Sequence, residues 1–375
     1  MNKTIEILNI PSAWKGEELF NSTYWNYRFT NQEIAEIETA FKKSQISKNK
    51  DINLSNSLLK TFKDISEELE FGSGIVLLKG IPVHKYLETD LSDLYLALSR
   101  KIGVPIRESN SDFDSPIRER NQFITEIKAE AKNSSQENKQ SNDAFKFHTD
   151  RCDLNSLLCV RQARIGGENR LASAITIYNE MLKYYPDIAQ ELFKEIPFFF
   201  EGENNWITYP LWCIYEGKFT TQYSSGYVAL SQLIPDCPRL TQKQKQGLDL
   251  LEEIGLKVGI TMKLEPGDWF IANNHIIYHA RSTWEIESGD YDRLLLRVWL
   301  SPSNSRKLPD TSTFKTMWGN VGAGKPRGGF LPNHYHTSPD RPITQPLSPT
   351  ESYWLAQFMK GRWRGADNIN NEQLT

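Results

Sequence analysis

The sequence predicts an α+β chain that is mainly β: a double-stranded β-helix, or jelly-roll, core with flanking helices. Helical periodicity is concentrated in the first hundred or so residues. Beyond them the chain breaks into many short apolar or alternating segments. Gly, Pro, Asn and Asp punctuate those segments at regular spacing, the mark of sheets packed face to face or closed on themselves. The 375 residues read as one domain, 1–375, with a helical part over 1–105, the core over about 106–302 and an extension over 303–375.

Thr30 followed by Glu33 is a capping box, and Ile34, Ile37 and Phe41 continue it as a helix. Leu58, Leu59, Phe62, Ile65 and Leu69 form the stripe of a second helix, 55–70, ended by Gly72 and Gly74. The run 75–79 between glycines reads as a buried strand, and 91–102 as a third helix stopped by Gly103 and Pro105. Strands are expected over 123–128, 157–162 and 171–177, with a turn at Gly166-Gly167, then a helix over 178–195 interrupted near Pro186. Glu216-Gly217-Lys218 joins a hairpin of 209–215 and 219–222. An amphipathic helix at 241–254 precedes strands at 259–264, 269–279 and 293–300. The polar run 131–143 reads as a loop: a surface insertion, or functionally a cover over the site.

Hydrophobic content of 39% and aromatic content of 11% suit a globular chain with a sizeable core. The net charge is −3 with no long basic run, so neither nucleic acid nor a membrane surface has an electrostatic case as partner. No apolar run is long enough to span a bilayer, and the opening MNKTIEILNI is too polar for a signal peptide, so a cytoplasmic location is expected. Cys152, Cys159, Cys213 and Cys237 have no CxxC spacing and read as reduced thiols.

The stretch FKFHTD, 145–150, carries the chemistry. His148 and Asp150 stand two apart at the end of an alternating run, on one face of a strand and about 6.6 Å apart along it. An imidazole and a carboxylate so placed can converge on one metal ion. A second histidine would complete a 2-His-1-carboxylate facial triad with three open positions, the arrangement of non-haem Fe(II) oxygenases. Of the six histidines, His84, His334 and His336 lie in loop-like contexts. His275 and His279 share the segment 269–279, which reads as a strand. Four residues apart on a strand is about 13 Å, so at most one of them is a ligand and the other is structural. In RLLLRVWL, alternation places Arg293, Leu295, Arg297 and Trp299 on one face and Leu294, Leu296, Val298 and Leu300 on the other. The second face is a core face. The first carries two guanidinium groups that need solvent or an anionic partner, and a carboxylate fits their planar forks.

These segments together (FHTD, Gly166-Gly167, LEPGDWFIANNHIIYHAR and RLLLRVWL) resemble the taurine dioxygenase-like (TauD/TfdA) family of Fe(II)- and 2-oxoglutarate-dependent oxygenases, clavaminate synthase-like enzymes included. The resemblance spans roughly 70–330, including the glycine-rich WGNVGAGKPRGGF at 318–330. It implies that His148, Asp150 and His279 hold iron and that Arg293 binds the distal carboxylate of 2-oxoglutarate. Asn169 stands where the family often has Thr or Ser as a second donor to that group. Arg297 matches a position that meets an anionic substrate group in some relatives, and Arg327 is a further substrate-binding candidate. The implied reaction consumes 2-oxoglutarate and O₂, releases succinate and CO₂, and hydroxylates an unactivated C–H of a small polar substrate, a free amino acid or derivative. Related halogenases lack the carboxylate ligand, so Asp150 implies hydroxylation, desaturation or a related oxidation. A different class, a non-catalytic jelly-roll binding protein, would make the triad incidental.

The run 319–325 satisfies GxxxxGK, but Pro326 follows in place of a Mg²⁺-binding Ser or Thr, so a nucleotide site is not expected. Ser348-Pro349-Thr350-Glu351 opens a short helix through Lys360. Tyr353, Trp354, Phe358 and Trp363 are read as packing on the barrel or on the partner of a homo-oligomer, and the last residues as disordered.

Overall fold

The computed structural model describes residues 6–47, 51–107, 123–128, 145–200, 206–285 and 293–329. The run 131–143, His334, His336 and everything expected beyond 329 lie outside the described residues.

After α1 (Gly16–Phe20) and β1 (Asn26–Arg28), α2 (Asn31–Ser47) starts at the expected reciprocal cap. The Thr30 N–H donates to Glu33 Oε2 at 2.8 Å, and the Glu33 N–H to Thr30 Oγ1 at 3.2 Å. α3 (Asn56–Phe71) is capped by Ser55, whose Oγ accepts the Leu58 N–H. β2 (Ile75–Lys79) follows as patterned, and α4 (Glu88–Ser99) lies almost one turn N-terminal of the expected 91–102. Apolar periodicity locates the buried stripe of a helix better than its ends.

Strands β3 (Val104–Ile106), β4 (Thr125–Ile127), β5 (Phe145–His148), β6 (Leu154–Arg161) and β7 (Asn169–Ser173) come next, then α5 (Ala174–Tyr184) and α6 (Pro186–Glu191). The hairpins β8 (Glu195–Phe199) with β9 (Trp206–Pro210) and β10 (Trp212–Tyr215) with β11 (Lys218–Thr221) precede α7 (Ser225–Ser231) and α8 (Gln242–Val258). β12 (Ile260–Met262), β13 (Trp269–Asn273), β14 (Ile277–Arg281), β15 (Leu294–Ser301) and α9 (Ser312–Trp318) complete the order.

Two main sheets result. The larger runs β1-β2-β13-β6-β15-β3 with β4 beside β15, and the smaller runs β12-β7-β14-β5. Pairing within them is antiparallel except for β1 with β2. One face of the larger sheet (Val76, Leu158, Ile271, Leu296, Val298) packs on α2, α3 and α4. The opposite face (Leu77, Leu157, Phe270, Leu295) shares a core with the smaller sheet and with α5 and α8. The alternation of RLLLRVWL divides as expected: its four even-numbered residues enter the helix-covered core, and Leu295 enters the core shared by the sheets.

Three expectations are corrected. The segment 171–177 leaves the sheet at Ser173, whose Oγ accepts the Thr176 N–H at 3.0 Å and caps α5. The helix expected to reach 195 ends at Glu191, because 195–199 pairs with 206–210. The single strand 269–279 is two strands, β13 in the larger sheet and β14 in the smaller. Asn273 makes the corner: its Oδ1 accepts the His275 N–H at 2.9 Å and its carbonyl the Ile276 N–H at 3.1 Å. All four cysteines are free. Among the described residues no helix is long and apolar enough to cross a membrane.

Candidate metal centre

His148 ends β5 and His279 lies directly opposite it on β14. Their rings are 4.3 Å apart between centroids. Asp150, just past the end of β5, places Oδ1 4.0 Å from His148 Nε2 and Oδ2 3.5 Å from His279 Nε2. One ligand atom from each of the three lies within 4.8 Å of the others. His148 Nδ1 pairs with the Lys146 carbonyl at 2.8 Å, which turns Nε2 toward this common point. Two imidazoles and a carboxylate on one side of a point suit Fe(II) with open positions.

The charges suit metal binding as well. Burial and the neighbouring His279 push the His148 imidazole down to about 4, so it is neutral and free to ligate near neutral pH. Burial opposes the charge on Asp150, but Arg297 and His279 hold the carboxyl far below its usual range. Arg297 Nη1 lies 3.6 Å from Asp150 Oδ2, and the Trp299 indole donates to the same oxygen at 3.2 Å. Both come from the polar face of β15.

A cleft of about 180 Å³ opens beside the two histidines, lined also by Asn155, Asn169, Arg293 and Arg297. Arg293 is part of its wall and is 4% exposed. Its Nε donates to Gln162 Oε1 at 3.0 Å, its guanidinium stacks 4.7 Å from the Trp284 ring, and burial pulls it down to about 10. It therefore stays charged at neutral pH. Gly167, at φ +74°, makes room for it: a Cβ there would stand 3.0 Å from Arg293 Nε. Among the described residues, Arg293 Nη1, Asn169 Nδ2, Asn155 Oδ1 and His279 Nδ1 are buried on this cleft without a hydrogen-bond partner. Buried groups of this kind are ordinarily satisfied, and such a concentration marks a place where a ligand supplies the partners.

Six of the sequence-derived candidates thus meet at one place. Arg327 does not. It is fully buried, with Nε and Nη2 each 2.7 Å from Asp153 Oδ1, and it is absent from the cleft wall. The structure thus pairs Arg327, expected as a substrate-binding residue, with Asp153 and does not bring it to the other candidates. His275 is the structural histidine, fully buried between Thr220 Oγ1 at 2.6 Å and Asp153 Oδ1 at 2.8 Å.

Arg281, Trp284, Asn155 and Phe145 line the cleft without having been anticipated. The i+2 rule from His279 points to Arg281. Phe145 was hidden by a β-bulge: the register shifts between His279↔His148 and Arg281↔Phe145, so residues three apart on β5 share a side. Arg281 lies between the Phe145 and Trp284 rings, at 4.6 and 4.1 Å from their centroids.

Comparison with known proteins places the fold and the family. The family model for taurine catabolism dioxygenase TauD, TfdA family, matches residues 33–299. FR-33289 synthase of Streptomyces rubellomurinus is 26% identical over 348 residues, covering 86% of this chain and 99% of that protein. A structure of asparagine oxygenase in complex with Fe(II), 2S,3S-3-hydroxyasparagine and succinate superposes with TM-score 0.57 at 14% identity, over 74% of this chain and 93% of that one. The non-haem iron oxygenase OrfP in complex with Fe and alpha-ketoglutaric acid superposes with TM-score 0.54 at 11% identity, over 73% and 93%. The chain belongs to the TauD/TfdA family of Fe(II)- and 2-oxoglutarate-dependent dioxygenases.

Proposed function

We propose that this chain hydroxylates an unactivated C–H of a small polar substrate, a free amino acid or a close derivative. In this reading the two main sheets are the halves of a double-stranded β-helix, with the reaction between them. His148, Asp150 and His279 hold Fe(II). The iron, with 2-oxoglutarate and O₂, supplies the oxidant for the C–H bond as 2-oxoglutarate is converted to succinate and CO₂. One observation carries the reading: the three-ligand cluster and the partnerless donors of Arg293 and Asn169 open onto the same small cleft.

The chain's own residues have distinct tasks. Arg293, fixed by Gln162 and Trp284, offers a buried, charged donor to the distal carboxylate of 2-oxoglutarate. Asn169 offers the second donor, an amide in place of a hydroxyl. Arg297 meets the anionic group of the substrate while its field keeps Asp150 ionised. The ligands of the structural neighbours, 3-hydroxyasparagine in one and alpha-ketoglutaric acid in the other, support an amino-acid substrate and this cosubstrate.

Anaerobic loading with Fe(II) and 2-oxoglutarate, followed by O₂ and a panel of amino acids, tests the proposal. Succinate should appear with one or a few panel members and not in His279→Ala. The product should gain one oxygen atom; loss of two hydrogens would mean desaturation instead. Neither Fe(II) binding nor succinate under any condition would leave a binding protein as the reading.

A further inference from the structure

Residues Thr149–Asp153 leave β5 carrying the carboxylate of the metal centre, and each is tied to chain far away in sequence. The Thr149 N–H donates to the Tyr223 carbonyl at 2.7 Å, and the Arg151 carbonyl accepts the Gly329 N–H at 2.6 Å. The other three meet Asn274. Its Oδ1 accepts the Asp150 N–H at 3.1 Å, its Nδ2 donates to Cys152 Sγ at 3.0 Å, and its main-chain N–H donates to the Asp153 carbonyl at 2.9 Å. Asn274 is fully buried and sits in the β13–β14 corner, on the segment that leads directly to His279. Behind it, the Asp153 carboxylate is gripped by Arg327, His275 and the Ser301 hydroxyl. Gly329 and Arg327 bring the C-terminal segment to the same five residues.

We propose that Asn274 is a positioning residue for the metal: it joins the segment that carries Asp150 to the corner that leads into the His279 strand, and so sets the Asp150 carboxylate against His279, with the Asp153–Arg327 pair as its anchor. The inference rests on the reading of His148, Asp150 and His279 as iron ligands. It goes beyond that reading by placing control of metal affinity in residues that touch neither metal nor cosubstrate. An N–H···O bond to the main chain of a ligand residue is a direct way to hold that residue. Asp150 is the one ligand of the three outside a strand, so the sheet ladder does not hold it. Partners behind metal ligands typically contribute about 10- to 100-fold to metal affinity.

The test is Co(II) titration of the full chain, followed by visible d–d absorption and calorimetry, with thermal melting of the metal-free protein alongside. Asn274→Ala should weaken Co(II) binding about 10- to 100-fold and change the d–d bands, which report ligand geometry. Arg327→Lys keeps the charge and loses the fork; a smaller change of the same kind is expected. Asn273→Ala is the control at the same corner, because the Asn273 side chain bonds Leu69, Glu70 and His275 and does not touch 149–153. It should lower the melting temperature with Co(II) affinity and bands unchanged. Wild-type affinity and bands in both Asn274→Ala and Arg327→Lys would overturn the proposal, as would equal weakening in Asn273→Ala. If the wild type itself binds neither Co(II) nor Fe(II), the metal reading fails first.

Discussion

Two clusters in this molecule are built from the same side chains, and their opposite condition explains their opposite roles. In the cleft, His148, Asp150, His279, Arg293 and Arg297 surround an open space, and Arg293 Nη1 and His279 Nδ1 have no hydrogen-bond partner among the described residues. A few residues on, Asp153, His275 and Arg327 point at one another. There the carboxylate accepts from the histidine, the arginine and Ser301, and the histidine's second nitrogen pairs with Thr220. A Thr-His-Asp relay in this second cluster has the look of nucleophilic machinery, yet Thr220 is 3% exposed and His275 not at all. With no route to substrate it acts as a polar keystone. Composition does not separate binding from structural clusters here; what separates them is whether the charged groups face one another or an open cleft.

The sharpest way to break this comparison is to remove one member from each side. His279→Ala should abolish Fe(II) binding and reduce succinate formation to background, while the unfolding midpoint in urea stays close to wild type. Asp153→Asn should do the reverse in stability: with Arg327 left buried and without its counter-charge, unfolding free energy should fall by about 3–5 kcal/mol, read by urea denaturation. If His279→Ala proves as destabilising as Asp153→Asn, the division between the clusters is wrong.

Within the cleft, Arg293→Met removes a buried charged donor worth about 2–3 kcal/mol to a carboxylate. The apparent KM for 2-oxoglutarate should rise about 30- to 100-fold, with a much smaller change in the KM for the organic substrate.

The closed cluster should announce itself in pH. Burial pushes His275 down to about 4, whereas in the unfolded chain it takes a proton near 6.5. The unfolded state binds more protons between those values, so stability falls as pH is lowered from about 6.5 to 4, by about 3 kcal/mol at the lower end. His148, displaced to about 4 as well, adds to the slope in metal-free protein. His275→Gln should flatten the curve in part, measured by denaturant melts at successive pH. Asp153 acts lower down. Burial works against its charge, but Arg327 and His275 hold it at about 2, so its contribution is lost only as pH falls from about 4 to 2. The smallest expected effect is that of Asn169→Ala, a several-fold rise in the KM for 2-oxoglutarate on losing one neutral hydrogen bond. No change there would remove Asn169 from the cosubstrate site.

Much of this was legible in the chain because it is local. The two-residue spacing of His148 and Asp150 marked them as a pair for one metal, although Asp150 lies past the end of β5 and not on its face, and a side-chain period of two splits RLLLRVWL into a core face and a face bearing Arg293 and Arg297. Capping chemistry at Thr30–Glu33, the apolar stripe over 55–70 and the glycines around 72–74 marked the early helices and β2. Errors gathered where local preference yields to pairing. The segment 269–279 is apolar on both sides of Asn273-Asn274-His275, and its aromatic and β-branched residues read as one strand although the chain changes sheet at that polar step. The hairpin of β8 and β9 depends on a partner across a gap of sequence. The premise that His275 and His279 lie along one continuous strand was wrong, although only one of them faces the metal site.

The sequence by itself determined which residue types were available to iron and cosubstrate, and which strand faces would carry them, since both follow from spacing along one segment. Only the tertiary structure decided which histidine of the segment 269–279 faces the cleft. Asn273 turns the chain from one sheet to the other just before His275, and a bulge opposite His279 brings Phe145 to the cleft wall. Arg327, 174 residues beyond Asp153, arrives to neutralise that carboxylate and leave Asp150 open. The physical reason is that a polar side chain becomes a site when folding leaves it without a partner, and its partners come from parts of the chain that no local pattern can see.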